Sequence, residues 1–379
     1  MSSWDTEERR ALRASARRFT HAEVVPHLAA WEDAGALPRE LHRKAAAADL
    51  LGVGFPEEVG GSGGSPIDSL LIAEEIIQAG GSSGLVASLL THGIGLPHLV
   101  EAGNPELIDR VARPVLAGEK IVSLAITEPG AGSDVAGLRT RALRDGDEYV
   151  VTGGKLYITS ATRADFFTVA VRTGGDGAGG ISLLLLERGM PGLTVSPPLR
   201  KMGWLCSDTA ELSFDQVRVP VGNLIGEENR GFYAIMNQFA AERLSLAVQA
   251  YATAQRCVDL TLAWIRQRET FGRPLATRQV VQHRVAEMAR RTDVARVYTR
   301  AVVDDWLAGE DVVARVAMAK NTAVEACDSV VDDAVQLHGG LGYMREAEVE
   351  RHYRDSRILG IGGGTSEIMT EVVAKLLLR

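Results

Sequence analysis

The chain contains 379 residues, 46% of them hydrophobic and 24% charged, and its formal net charge is −8 at pH 7. This length can bury a large core in two or three packed layers, whereas an acidic chain without a block of Lys and Arg argues against a nucleic-acid partner. Three widely spaced cysteines exclude a disulfide framework and a zinc pattern, and we expect no metal. The charged N-terminus and the lack of any apolar run approaching ~18 residues predict a cytoplasmic protein that does not enter a membrane.

Three segments of different periodicity follow one another along the chain. Residues 1–120 carry helical periods broken by a glycine-serine loop, and they predict an N-terminal helical domain. Residues 121–226 contain short strand-like runs separated by turn signals, which predict a central antiparallel β-barrel or sandwich domain. Residues 227–379 hold four long helical segments, the first of about forty residues, and predict a C-terminal four-helix bundle. The predicted fold class is therefore α+β with three domains.

The stretch Ile121–Asp134 begins as a continuous apolar run, which is typical of a strand buried on both faces. Pro129, Gly130 and Gly132 then forbid regular structure. Such a loop can bring free backbone N–H groups close to a phosphate or a planar cofactor. A plain Pro-Gly turn between two strands explains the same residues equally well, so this stretch alone does not decide between the two.

Five motifs occur in a fixed order along the chain. They read ITEPGAGSD (126–134), YITSATRAD (157–165), RETFGRPL (268–275), QLHGGLGY (336–343) and YRDSRILGIGGGTSEIM (353–369). Together, and with the order of helical, strand and bundle segments, they resemble the acyl-CoA dehydrogenase family over essentially the whole chain. The resemblance implies an FAD enzyme that removes the α-proton of an acyl-CoA thioester, delivers the β-hydrogen as hydride to flavin N5 and leaves the trans-2-enoyl product. It also implies an electron-transferring flavoprotein as acceptor and a homo-oligomer, expected to be a tetramer arranged as a dimer of dimers.

The resemblance assigns the cofactor to two groups of residues. Those bordering the flavin ring and pyrophosphate are Leu124, Thr127, Gly132, Ser133, Tyr157 and Thr159, where the family usually has Trp in place of Tyr157. A neighbouring subunit supplies Arg268, Phe271, Gln279, Gln336, Gly339 and Gly340, and the subunit's own C-terminal turn adds Thr365 and Glu367. Ser133, Arg243 and Gly364 are assigned to the acyl-CoA substrate. Turn capping by Thr127 and Ser133, and a merely solvated Arg268, are the structural alternatives.

The base that removes the α-proton departs from the commonest pattern of the family. Many members carry a Glu just before the final Gly-Thr, whereas this chain has Gly362 and Gly363 there. A second class, including isovaleryl- and long-chain acyl-CoA dehydrogenases, carries the base before an Arg on the first long bundle helix, and Glu242 precedes Arg243 at that place. The surrounding pattern supports Glu242 because this carboxylate lies inside an otherwise apolar helical stripe. A structural Glu242–Arg243 pair inside the bundle is the alternative.

The resemblance also implies a role for Gly363: the family binds the thioester carbonyl with a flavin ribityl hydroxyl and the backbone N–H at this position, and a glycine still provides that N–H. We also expect the lost side chains to open volume beside the reacting carbons, which predicts a substrate that is branched, bulky near Cα–Cβ or longer than butyryl. Two other readings stay open: an oxidase or monooxygenase of the same fold, and a flavin- or thioester-binding protein without catalysis. The sequence does not decide between CoA and a carrier protein as the acyl carrier. Glu128 is expected to be a structural member of its turn.

Overall fold

The computed structural model describes residues 3–378, which begin with a series of mostly short helices. Their bounds are α1 Glu7–Phe19, α2 Leu28–Ala34, α3 Arg39–Ala47, α4 Pro66–Gln78, α5 Ser83–Leu89, α6 His92–Gly95, α7 Pro97–Ala102, α8 Pro105–Leu107 and α9 Arg113–Leu116. Local sequence explains where the longest begin: Thr6 accepts a hydrogen bond from Arg9 N ahead of α1, and Ser65 forms a capping box with Asp68 ahead of α4. Proline at the first position of α4 fits its fixed φ.

Eight strands form one sheet in the middle of the chain. They are β1 Val122–Ala125, β2 Arg141–Asp145, β3 Glu148–Thr159, β4 Phe166–Arg172, β5 Ile181–Glu187, β6 Leu193–Val195, β7 Thr209–Pro220 and β8 Leu224–Ile225. The order is β6-β7-β3-β2-β4-β5-β8, with β1 added beside β4. Most neighbours are antiparallel as predicted, but β4 pairs in parallel with both β1 and β2. These pairs are parallel because β4 is joined to β1 and β2 through intervening strands instead of a hairpin.

The C-terminal part is helical, as predicted. The long helices are α10 Gly231–Gln267, α11 Gln279–Leu307, α12 Val313–His338 and α14 Ser366–Leu377, with the shorter α13 Glu348–Ser356 before the last. A small hairpin of β9 Glu269–Thr270 and β10 Arg273–Pro274 separates α10 from α11. The first helix has 37 residues, close to the length expected from its period.

Two large hydrophobic cores meet along α10. Its N-terminal part, with Ile235 and Phe239, packs against β4, β5 and the later N-terminal helices. Its C-terminal part, from Leu244 onward, belongs to a core that includes α1, α4, α11 and α12. Residue 242 therefore lies where α10 passes from one core to the other. A side chain at this position can be shielded from water without being packed inside either core.

Within residues 3–378 no single helix is long and apolar enough to cross a membrane. One pair bent by 58°, Ser83–Leu89 with His92–Ala102, meets the same criterion jointly, and most of its residues are buried in the protein.

Candidate active site

The loop after β1 and the strand β3 bring the first predicted flavin group together. Leu156 N donates to Thr127 O at 2.9 Å, and the Ser123 hydroxyl donates to the carbonyl of Thr159, so the two segments are joined at both ends. Tyr157 sits at a register shift between β3 and β7 with φ of +62°, which turns a residue of an inner strand outward. Its side chain is 65% exposed. An aromatic ring is thereby presented on the surface beside the glycine loop.

Glu128 stabilises this loop from beneath, as expected. Its carboxylate accepts from Arg139 N at 2.7 Å and Thr140 N at 2.9 Å, and it forms a buried ion pair with Lys155 at 2.7 Å. Burial disfavours the Glu128 carboxylate, but the Lys155 charge and these hydrogen bonds outweigh it, so the pKa of Glu128 lies below its ordinary value. Gly132 and Ser133 follow this anchored turn and are exposed.

The second predicted flavin group lies at one end of the bundle. The β9–β10 hairpin holds Phe271 at its tip with φ of +50° and 97% exposure, and Arg268 and Gln279 flank it. The end of α12 reaches the same place because Trp264 stacks on His338 at 5.3 Å and donates to Leu337 O at 3.1 Å. Gln336, Gly339 and Gly340 are therefore brought to the hairpin, and all three are exposed.

The two flavin groups are separate within one chain. Across residues 3–378, no hydrogen bond or ion pair joins the hairpin group to the loop after β1 or to β3. Thr365 caps α14 by accepting from Ile368 N at 3.3 Å, and Glu367 is exposed in the first turn of that helix. Thr365 therefore has a structural role as the N-cap of α14, in addition to its predicted contact with the cofactor.

Glu242 lies in α10 beside the turn before α14, at the junction of the two cores. A methyl group at Gly363 would be 3.6 Å from Glu242 Oε1, so the two positions at which a base is expected are neighbours in space. Burial raises the pKa of Glu242 above its ordinary value, and the charges of Arg243 and Lys320 oppose that rise in part. No ion pair of Glu242 is formed within residues 3–378, in contrast to the structural alternative of a Glu242–Arg243 pair.

The turn containing Gly363 and Gly364 is left-handed, with φ of +64° and +98°. Both of its carbonyls accept from cations: Arg243 Nε donates to Gly363 O at 3.1 Å, and Lys320 Nζ donates to Gly364 O at 2.7 Å. The Gly363 N–H donates no hydrogen bond to any residue in the described range 3–378. An L side chain at either position would be strained.

The expected open volume at position 363 is wrong, because Leu246 already fills it. A methyl group on Gly363 would lie 2.7 Å from Leu246 Cδ1, a distance shorter than carbon–carbon contact. Leu246 is one turn beyond Glu242 on α10 and is 7% exposed. At Gly362 the space is open, since a methyl group there would have only the carbonyl of Ile358 within contact distance, at 3.6 Å.

Three further residues of the site were missed at the sequence level. Lys320 is fully buried in α12, and the same apolar-stripe criterion that indicated Glu242 would have found it between Val316 and Val324. Arg278 donates to Thr270 O at 2.6 Å and lies 5.6 Å from the Phe271 ring, so it supports the hairpin. Trp264 joins the ends of α10 and α12, for which no local sequence signal exists.

The residues present fit a flavin dinucleotide. Thr127 and Ser133 offer hydroxyls, and Gly132 and Ser133 offer N–H groups, none of which has a hydrogen-bond partner in the part of the chain described. Tyr157 offers an exposed ring, and the hairpin offers the Arg268 guanidinium, which suits a phosphate. Flat aromatic surface, free donors and a cation are the chemical groups that such a cofactor requires.

Comparison with known families agrees with this arrangement. Three family models match the chain in order. They are described as the N-terminal, middle and C-terminal domains of acyl-CoA dehydrogenase, and they match residues 6–119, 123–217 and 229–378, respectively. The chain belongs to the acyl-CoA dehydrogenase family. The predicted family, fold and enzyme class are confirmed: a flavin-dependent oxidoreductase that acts on acyl-CoA.

Individual relatives extend over nearly the whole chain. The long-chain specific acyl-CoA dehydrogenase of Sus scrofa is 40% identical over 377 residues, covering 98% of this chain and 86% of the relative. A crystal structure of a probable acyl-CoA dehydrogenase from Mycobacterium abscessus is 64% identical with a TM-score of 0.98, covering 99% of this chain and 100% of that one. A glutaryl-CoA dehydrogenase from Mycobacterium smegmatis in complex with FADH2 is 26% identical with a TM-score of 0.92, covering 98% and 95%.

Proposed function

We propose that this chain oxidises an acyl-CoA thioester between Cα and Cβ with Glu242 as the base that removes the α-proton. The observation that carries this proposal is the juxtaposition of an unpaired, half-buried carboxylate with the Gly363 turn. The raised pKa of Glu242 suits a group that must accept a proton near neutral pH. When bound, FAD supplies the acceptor for the β-hydrogen.

The Gly363 N–H polarises the substrate in this proposal. A thioester carbonyl hydrogen-bonded to that N–H carries more of the negative charge that develops when Cα loses its proton. The N–H is available because it has no acceptor within residues 3–378, and the backbone that follows it is held through the carbonyls of Gly363 and Gly364. Arg243 contributes through one of those contacts. Gly364 accepts the other contact through its carbonyl, and Ser133 is also assigned to the substrate.

The proposed cofactor site needs two subunits. Leu124, Thr127, Gly132, Ser133, Tyr157 and Thr159 would hold the flavin ring and pyrophosphate, and Arg268, Phe271, Gln279, Gln336, Gly339 and Gly340 would come from a second copy. The separation of these groups within one chain supports a homo-oligomer, for which we retain the tetramer. Thr365 and Glu367 would contact the cofactor from the chain's own α14. An electron-transferring flavoprotein is the proposed acceptor.

Glu242→Gln tests the assignment of the base. The variant keeps the shape of the side chain but cannot accept the α-proton, so we expect flavin reduction by acyl-CoA to fall by about three powers of ten or more. Anaerobic mixing with a panel of acyl-CoA thioesters, followed by flavin absorbance, measures this rate. FAD content should remain that of the wild type, since Glu242 lies among substrate-facing groups.

A matched control is Glu227→Gln, which removes a carboxylate close to the start of α10 and away from the Gly363 turn. Its flavin should be reduced at the wild-type rate. Reduction that continues at that rate in Glu242→Gln would exclude Glu242 as the base, and a wild-type enzyme inert to every thioester would support a non-catalytic binding protein. Oxygen uptake with peroxide release during turnover would instead favour an oxidase.

A further inference from the structure

Lys320 is the charged group nearest the proposed base that has no role so far. It lies in the first third of α12, which packs against both α10 and α14, and it is completely inaccessible to solvent. Burying a lysine is unfavourable unless its ammonium is satisfied. The carbonyl of Gly364, at 2.7 Å from Nζ, provides that satisfaction.

Within residues 3–378, the hydrogen bond of Lys320 and its charged neighbours all belong to the site. The charged groups facing it are Glu242 and Arg243, both from α10, while the segment before α14 faces it with a carbonyl. Its Cε lies 3.8 Å from where a methyl group on Gly363 would be. If its role were only structural, an apolar side chain of the same length would stabilise the fold more, because no charge would have to be desolvated.

Resting on the proposed function, we propose that Lys320 is a positioning residue, whose ammonium fixes the Gly363–Gly364 turn and places a positive charge beside the Glu242 carboxylate. The first effect restrains the backbone that follows the Gly363 N–H, since Arg243 holds the 363–364 peptide through Gly363 O and Lys320 holds the 364–365 peptide through Gly364 O. The second favours the ionised form of Glu242, which is the form able to accept a proton.

The two cations of the site are not equivalent. Arg243 is half-buried and its guanidinium also lies 4.9 Å from the Phe239 ring, so its position is fixed by packing and it stays charged at every relevant pH. Burial lowers the pKa of Lys320 to about 8, with Arg243 acting in the same direction and Glu242 opposing. The ammonium form of Lys320 is therefore expected to be lost on the alkaline side.

The test compares Lys320→Met, Lys320→Arg and the wild type in anaerobic flavin reduction by acyl-CoA between pH 5.5 and pH 10. In Lys320→Met the limiting rate at pH 7 should fall about tenfold to a hundredfold. The acid limb of the profile, which is the fall in rate at low pH as Glu242 becomes protonated, should move to higher pH, because the carboxylate has lost a neighbouring positive charge that favours its ionised form. Lys320→Arg keeps the charge, so the acid limb should stay in place. Its plateau should also extend beyond pH about 8, where the wild type declines as Lys320 loses its proton.

Asn321→Ala is the matched control. Asn321 is the next residue on α12 and donates to Ser366 O at 3.0 Å, so its removal breaks a contact between α12 and α14 without changing charge. Its pH profile should be that of the wild type. If Lys320→Met is active with an unshifted acid limb, or if Asn321→Ala shifts the limb equally, the proposal is wrong.

A second readout is independent of turnover. Hydrogen–deuterium exchange at Ile361 and Gly362, whose amides donate to Ile358 O, should speed up in Lys320→Met and keep the wild-type rate in Lys320→Arg, because only the former frees the Gly364 carbonyl and loosens the turn. Unchanged exchange in Lys320→Met would overturn the positioning role. Failure of the proposed function is distinguishable, because there the Glu242→Gln variant would reduce flavin like the wild type whatever the exchange data show.

Discussion

Leu246 replaces, in space, the side chain that position 363 lacks. It comes from α10, one turn after Glu242, and its Cδ1 occupies the volume that a Cβ at Gly363 would need. Absence of a side chain in the sequence therefore does not mean an empty site, because close packing lets a neighbour fill the space. We therefore expect position 246, instead of 363, to limit the bulk that is accepted near Cα–Cβ of the substrate.

Leu246→Ala should make the enzyme more tolerant of substrates branched at the α-carbon. Removing the δ-methyl groups opens space beside Glu242, and a methyl group in an apolar pocket changes specificity by about tenfold or more. The measurement is the ratio of kcat/KM for a 2-methyl-branched acyl-CoA to that for its straight-chain isomer. We expect this ratio to rise about tenfold in Leu246→Ala.

Leu244→Ala provides the control for that prediction. Leu244 is buried in the same helix, and its truncation should cost about 2–5 kcal/mol of stability, as should that of Leu246. Only Leu246→Ala should change the substrate ratio. An equal change in both variants would mean that general loosening of α10, and not the space beside Glu242, is responsible.

Individual elements differ in how far sequence predicts them. The apolar runs of β4 and β5 are recognisable because alternate side chains enter two different cores, so every position except the last of each strand is buried and most are hydrophobic. Strand β2 gives no such signal because only Ala142 among its five residues is buried, and an exposed, charged strand has no hydrophobic pattern. The meeting of Glu242 with Gly363 could be expected only from the family resemblance, since local periodicity carries no information about residues so far apart in the chain.

The buried Glu128–Lys155 ion pair stabilises the conformation of the loop after β1. Lys155 also donates to Ile126 O at 2.9 Å, so one ammonium joins β3 at two points to the segment that enters the turn. Because the pKa of Glu128 is lower in the folded protein than its ordinary value of 4.5, its carboxylate stabilises the fold. That stabilisation is present above pH 4.5 and is lost as the pH falls through the lower folded-state pKa.

Glu128→Gln should destabilise the protein at neutral pH by about 3–5 kcal/mol, because it leaves the buried Lys155 without a countercharge. The difference in free energy of unfolding between wild type and variant should shrink as the pH falls below 4.5 and the wild-type carboxylate becomes protonated. Urea unfolding at pH 7, 5, 4 and 3 measures it. Glu148→Gln, which removes an exposed partner of Arg218, should show no pH-dependent difference. A constant Glu128→Gln difference down to pH 3 would contradict the assignment.

At the scale of the whole molecule, the two flavin groups make a prediction about assembly. The loop after β1, Tyr157 and Glu242 form one half of the proposed site, whereas Arg268 and Phe271 are presented on the exposed hairpin at the end of the bundle. If a second copy supplies the hairpin, each site needs Glu242 from one subunit and Arg268 from the other. Two inactive chains with complementary defects should then restore each other.

Equal co-expression of Glu242→Gln with Arg268→Ala should recover about a quarter of the wild-type sites, because half the dimers are mixed and each mixed dimer has one intact site. The reciprocal control places both substitutions on one chain and co-expresses it with the wild type. Sharing between subunits predicts that about a quarter of the sites stay active there, whereas a site within one chain predicts about half. Activity is measured per FAD-binding site by anaerobic flavin reduction. No recovery in the first mixture together with half activity in the second would place Arg268 in the same subunit's site and remove the reason for an obligate oligomer.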